Sequence, residues 1–311
     1  MAGAAPKKRS FGRRALRLWL LGLAVLPVAG LVLFAELQLW QDEAFAGGWR
    51  LQQQAVTGRC RVLDPQGETL DSGFGGGCGP AFDKVLAQAV PPEGELVLLL
   101  HGLGRTPAMF GKLKAALAAE GRTVVALRYR SLTEDVAAHG RWLNDLLDGH
   151  PSAAEVSFVT HSLGAVVLRA ALAQEPSWRE KTGLGRAVML APPNQGAMIA
   201  RALDRWTPAG LILGPSLADV LGPGSLPAGL PEALSAAVIA GGCCGGRGFN
   251  PILPGDDDGI VRVAETRHAG AESLRIVTFH SFIAGNPKTI AATRSFLESG
   301  RLPQPSEDRS R

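Results

Sequence analysis

The chain is short of cysteine and, beyond its first seventeen residues, of net charge. Four cysteines occur in 311 residues, and none has the CxxC or Cys/His spacing of a zinc site, so no metal is expected. Cys60 and Cys78 bracket the Gly-rich run GETLDSGFGGGCG, where a bridge would add about 3 kcal/mol by the loop-entropy estimate. Cys243 and Cys244 are adjacent, and free thiols, a mutual bridge and pairing elsewhere all stay open. The net charge of +4 is concentrated in Lys7, Lys8, Arg9, Arg13, Arg14 and Arg17. Outside these six, 26 basic residues face 28 acidic ones, which leaves no basic footprint for nucleic acid. No repeat of solenoid period occurs, and low complexity is confined to the polar tail, expected to be disordered over 302–311.

The hydrophobic content of 46% suffices for a full core in one large α/β domain. The six cations, in a basic cytoplasmic segment 1–17, precede LWLLGLAVLPVAGLVLFA (18–35), which contains no charge. With its apolar flank to Trp40, this run is expected to form a transmembrane signal-anchor over 18–40, interrupted but not excluded by Pro27. Basic residues before it and QDE after it place the N-terminus in the cytoplasm and the body, 41–301, on the extracytoplasmic, periplasmic side of the inner membrane. The alternative is a signal peptide cleaved after Ala46, since Ala44-Phe45-Ala46 has the A-x-A form, and a secreted product.

After a β-rich stretch over 50–90, apolar runs at 95–102, 123–129, 155–162, 186–193, 236–242 and 274–280 alternate with helical patterns at 108–121, 133–149, 163–174 and 287–300. Continuous apolar strands alternating with helices predict a mostly parallel sheet covered on both faces. Ligands gather at the carboxyl ends of such strands. One stretch, 194–235, breaks the alternation: it is apolar and rich in Gly and Pro, as expected of a pocket wall or lid, the alternative being a packed surface excursion.

Four strand ends carry polar groups that fit one chemistry. In THSLG, Ser162 sits between a strand and a helix, the place of a nucleophile elbow, although Thr160 stands where glycine is commonest. A serine hydroxyl needs a base, and His280, closing LRIVTFH, is placed better than His268 in ETRHAG. The base needs an acid, and PGDDDGIVRV offers Asp258, followed by Asp257 and Asp256. The tetrahedral oxyanion needs amide donors; Leu163, after the serine, and Leu103, in HGLGRT, are the candidates. Gly102 and Gly104 would let backbone approach substrate, with His101 bracing that loop. The order Ser, Asp, His is the one that an α/β-hydrolase requires.

These segments, LVLLLHGLGRT, VTHSLGAVVLR, VMLAPPNQGA, LPGDDDGIVRV and TFHSFIAGNPKTIAATRSFLESGR, resemble bacterial α/β-hydrolases of the lipase and esterase type over residues 95–301. The resemblance implies an α/β-hydrolase fold, a serine acyl-enzyme, no cofactor, an acyl-ester substrate, and an acyl pocket near Pro192 and Pro193. Esters of lipids or other lipophilic acyl groups are the expected substrates. Acyl transfer, amide or thioester cleavage by the same residues is the alternative, and a non-catalytic envelope scaffold a third reading.

Overall fold

Two sheets of opposite character meet at a polar joint. The computed structural model describes residues 36, 38–88, 94–149, 153–206 and 214–303. The anchor segment up to residue 35 and the tail from 304 lie outside them. No described helix is long and apolar enough to cross a membrane.

The first sheet is antiparallel, with strands β1 (Trp40–Ala46), β2 (Trp49–Gln54), β3 (Arg59–Leu63) and β4 (Thr69–Phe74) in chain order, followed by helix α1 (Gly79–Gln88). A disulfide joins Cys60 of β3 to Cys78, which packs with Val62 and Phe82 in a small separate core. Cys243 is disulfide-bonded as well. The expected span to Trp40 is corrected at its end. Gln38 and Trp40 are buried in the folded body, and Trp40 opens β1, because its ring packs under the guanidinium of Arg61.

The second sheet is built from β5 (Glu95–Leu100), β6 (Thr123–Leu127), β7 (Glu155–His161), β8 (Gly183–Leu190), β9 (Ser235–Gly242) and β10 (Glu272–Val277). All pairs are parallel and the order is β10-β9-β8-β7-β5-β6. Side chains alternate between faces along a strand. In β5, Leu96, Leu98 and Leu100 therefore enter one core and Val97 and Leu99 the other, which is why the run is apolar throughout. Helices α3 (Val136–Asp148) and α4 (Leu163–Leu172) cover the first face, and α2 (Gly111–Ala118) and α6 (Pro287–Ser299) the second. Helix α4 is buried along all its residues, consistent with its LGAVVLRAAL sequence.

The tail expectation is also corrected at its start. Leu302 is buried against α6 and its amide donates to Glu272, so residue 302 belongs to the fold.

The joint between the sheets is Asp42. Its side chain is fully buried and accepts from Arg128 N at 2.6 Å and Gln52 Nε2 at 2.6 Å, with the Arg50 guanidinium at 3.9 Å. Its own amide donates to Arg128 O at 2.9 Å, and its carbonyl accepts from Trp142 Nε1 at 2.7 Å. A buried carboxylate requires this degree of satisfaction.

Next to this joint, Tyr129, the chain's one tyrosine, lies between His101, stacked at 4.3 Å, and His139, edge-on at 4.8 Å. Burial pulls both imidazoles down from the usual 6.5, His101 to about 3 and His139 to about 4. The unfolded chain therefore binds protons that the fold refuses. Stability is fully present above pH 6.5 and falls as pH drops from there toward the folded values. Urea unfolding between pH 7 and about 4.5 checks this. His139→Phe, which keeps a ring beside Tyr129, is expected to flatten the slope, and an unchanged slope would count against the assignment.

Candidate active site

The strand order reverses between β5 and β7, and ligands bind at the carboxyl ends beside such a switch point. The loop after β5 and the turn after β7 supply the first parts of the site. Ser162 follows β7 with φ 51° and ψ −119°, a strained backbone rare for a residue with a side chain. Its amide donates to Leu190 O at 2.9 Å, which pins the turn to β8.

Gly164 explains how the turn is so sharp. A Cβ there would lie 2.3 Å from the Leu100 carbonyl oxygen and 2.9 Å from that of His101. Thr160, by contrast, is still strand, paired with Leu100 and Met189, where a β-branched residue is at home. No hydrogen bond accounts for its buried hydroxyl.

His280 begins a 3-10 turn just after β10. Its Nδ1 is 2.7 Å from Asp258 Oδ2, and its amide donates to Asp258 O at 2.9 Å. Asp258 is buried, and its other oxygen accepts from Ile260 N at 3.0 Å and Val261 N at 2.8 Å. The three aspartates thus have separate duties. Asp257 Oδ1 accepts from the amides of Phe249, Asn250 and Gly259 and shapes the loop. Asp256 binds Arg275 and the Cys243 amide. Sequence gave no sign that Gly241 would matter, yet a Cβ on it would lie 2.7 Å from Asp258 Cβ. Its absence lets the acid sit against the end of β9.

Ser162 and His280 line one cavity of about 220 Å³. The 194–235 stretch forms one wall of it: helix α5 (Met198–Trp206) contributes Ile199, Ala200 and Leu203, and a later 3-10 turn contributes Leu217 and Val220. Glu265 holds this wall by accepting from Met198 N at 2.7 Å at the start of α5. Residues 207–213 lie outside the described residues.

Leu103, Leu163 and Pro193 line the same cavity, whereas His101, Gly102, Gly104 and Pro192 do not. Of the expected substrate contacts, Gly102, Gly104 and Pro192 thus stand outside this lining. His101 is fully buried under Tyr129, whose hydroxyl donates to His101 O. Its Nδ1–H donates to Gly102 O at 2.9 Å and its Nε2 accepts from Tyr129 N at 3.4 Å, so it braces the loop. Gly102 is packed against His161 and Ser162. The Gly104 amide is turned to Ser131 Oγ at 3.0 Å. Pro192 is buried two residues after the end of β8. His268 is not among the cavity-lining residues and lies beside Gly229 and Leu230.

His161 and Arg105 join the lining without having been expected there. His161 donates from Nε2 to His280 O at 3.0 Å, and burial, with His280 beside it, holds its pKa well below the usual value. It is a neutral prop under His280. Adjacency to the serine was the only sequence signal for it.

A six-stranded parallel sheet with a strained serine after β7, and a carboxylate-bound histidine after the last strand, is the α/β-hydrolase fold. Among solved structures, the Bacillus licheniformis lipase BlEst2 in its mature form is similar at 17% identity and TM-score 0.51, over 68% of this chain and 95% of that one. The propeptide form of the same lipase is similar at 17% identity and TM-score 0.52, over 67% of this chain and 51% of that one. A family described as a domain of unknown function, DUF7379, matches residues 79–212. No curated protein sequence matches.

Gly164→Ala tests the elbow. The added methyl meets backbone, which cannot rotate away, so a loss of about 3 kcal/mol or outright misfolding is expected in urea unfolding. Wild-type stability in the variant would contradict the close approach.

Proposed function

We propose that the chain is a membrane-anchored serine hydrolase that cleaves carboxylic esters of lipids or other lipophilic acyl substrates. The observation that carries this reading is the 2.7 Å contact between His280 Nδ1 and Asp258, with His280 and Ser162 on one largely apolar cavity.

The Asp258 contact keeps the proton of neutral His280 on Nδ1 and leaves Nε2 with a lone pair for the serine hydroxyl. His280 takes the Ser162 proton as the oxygen attacks the ester carbonyl. The amides of Leu103 and Leu163 receive the oxyanion, each such donor being worth roughly 10²–10³ in turnover. The imidazolium then protonates the departing alcohol. Water, deprotonated by the same imidazole, attacks the acyl-enzyme, and collapse of the second intermediate frees the acid and Ser162. An apolar wall of Ile199, Leu203, Leu217 and Val220 suits an acyl chain better than a charged one.

The fold also bears on the anchor. Cleavage after Ala46 would remove all of β1, including Asp42 and the buried Phe45. A protein that kept its Asp42 joint would not be cut there, which weighs against release after Ala46. Mass spectrometry of the mature N-terminus is expected to find residues preceding Trp40, and a chain starting at Gly47 would overturn this.

For the chemistry, a fluorophosphonate probe is expected to label Ser162, and Ser162→Ala to lose both labelling and p-nitrophenyl ester turnover, by roughly 10⁶-fold. Asp258→Asn is expected to cost roughly 10⁴-fold. Asp256→Asn should cost far less, because Asp256 does not touch His280. Labelling elsewhere, or the reverse ranking of the aspartates, would sink the assignment.

A further inference from the structure

We infer that Arg105 selects esters whose alcohol part carries an anionic group, a phosphate above all. The inference rests on the serine-hydrolase reading of the site and adds to it the chemistry of the leaving group.

Charge comes first. Among the residues lining the Ser162 cavity, Arg105 is the one permanently charged side chain, and no carboxylate lines it. Arg105 is exposed, and the single side-chain partner of its guanidinium among the described residues is the neutral hydroxyl of Ser281, which accepts from Nη2. Arg122, Arg130, Arg262, Arg275, Arg294 and Arg301 each hold a carboxylate instead. A guanidinium has five N–H donors in a planar fork, so the bond to Ser281 orients the group and leaves donors for a bidentate anion. The charge is felt inside the cavity: burial and His280 hold the His161 imidazole below its usual pKa, and Arg105 adds to them. The acid of the site, Asp258, is taken up by His280 and by the amides of Ile260 and Val261.

Position assigns the anion to the alcohol part. His280 protonates the departing oxygen, so the alcohol lies on the His280 side, and Ser281, which holds Arg105, is the next residue. The apolar wall of Ile199, Leu203, Leu217 and Val220 is left for the acyl chain. Ser281 also lines a second, open groove of about 610 Å³ together with Lys112, Thr278 and Asn286, and no carboxylate lines that groove either. The bond from Arg105 to Ser281 therefore stands between the cavity and a groove that carries a second cation. An ester bound this way has its acyl chain on the wall, its carbonyl at Ser162 and its charged alcohol over Arg105, with room to extend toward Lys112. The phosphate keeps all its bonds during turnover. The acyl C–O bond breaks, and water supplies the hydroxyl of the acid and the hydrogen of the alcohol.

The test compares butyryl glycerophosphate with monobutyrin, two esters that differ only in the phosphate, by butyrate release from the full chain in detergent. The wild type is expected to show a kcat/KM about tenfold higher for the phosphate ester. That preference should shrink as NaCl rises from about 20 mM to about 500 mM. Arg105→Gln is expected to bring the ratio of the two esters to about one, through KM more than kcat, and Arg105→Lys to keep part of the preference. Lys112→Gln should lower the ratio by about threefold. Equal losses on both esters in Arg105→Gln would make Arg105 a clamp between two loops and overturn the anion assignment. Monoolein and oleoyl lysophosphatidic acid in detergent micelles distinguish the source. A preference confined to the oleoyl pair assigns a lipid headgroup, a preference in both pairs assigns the phosphate on any carrier, and a preference in neither overturns the inference. Fluorophosphonate labelling of Ser162 separates the two readings: labelling without any preference rejects the anion assignment alone, whereas an unlabelled Ser162 and no turnover of any ester reject the hydrolase reading with it.

Discussion

The site depends on the contact between the first turn of α4 and the end of β5. The Leu100 carbonyl stands so near Gly164 that no side chain fits between them, and the same closeness forces Ser162 into its positive φ. Release of that contact would let the turn relax and swing the serine away from the cavity it shares with His280. The strain is held by what surrounds it: α4 is buried along its length, and the Ser162 amide is tied to β8. A local cost in backbone energy is thus offset by packing spread over two helices and three strands.

A second constraint acts on the histidine. Asp258 is held by two amides and a neighbouring strand from which Gly241 removes any side chain, so the carboxylate has one place to be. His161 supports the same imidazole from below through the His280 carbonyl. Serine, histidine and acid come from three different strand ends; His280 and Asp258 hold each other, while Ser162 is held by its amide bond to Leu190 and the close approach at Gly164.

Much of this was legible in the sequence because buried parallel strands are written as unbroken apolar runs. The runs at 95–102, 155–162 and 236–242 could be read without knowing their neighbours, and the polar residues at or after their ends then named themselves. The order Ser162, Asp258, His280 carried more than any one motif. What was not legible was decided by partners remote in sequence. β1, WQDEAFA, has a charge where a core residue would be expected; Asp42 is buried only because Arg128, Gln52 and Arg50 converge on it. β4 is Gly-containing and mostly exposed, and so lacks the alternation that marks a strand. His101 read as a brace of its loop, but the ring it stacks on, Tyr129, 28 residues further on, was not legible. Gly241 and Gly242 look like any turn, whereas they are space left for two aspartates.

The Asp42 joint also has a temporal side. Its partners Arg128 and Trp142 lie 86 and 100 residues further along the chain. The hairpins of the first sheet can close locally as soon as they are made, but β1 has nothing to dock against until β6 and α3 exist. Closing so long a loop is the slow kind of step in folding. β1, made before either of these partners, is therefore among the last elements to reach its final place. Until then the β1 edge, with its buried-to-be Asp42, stays open to water or to whatever escorts the nascent chain.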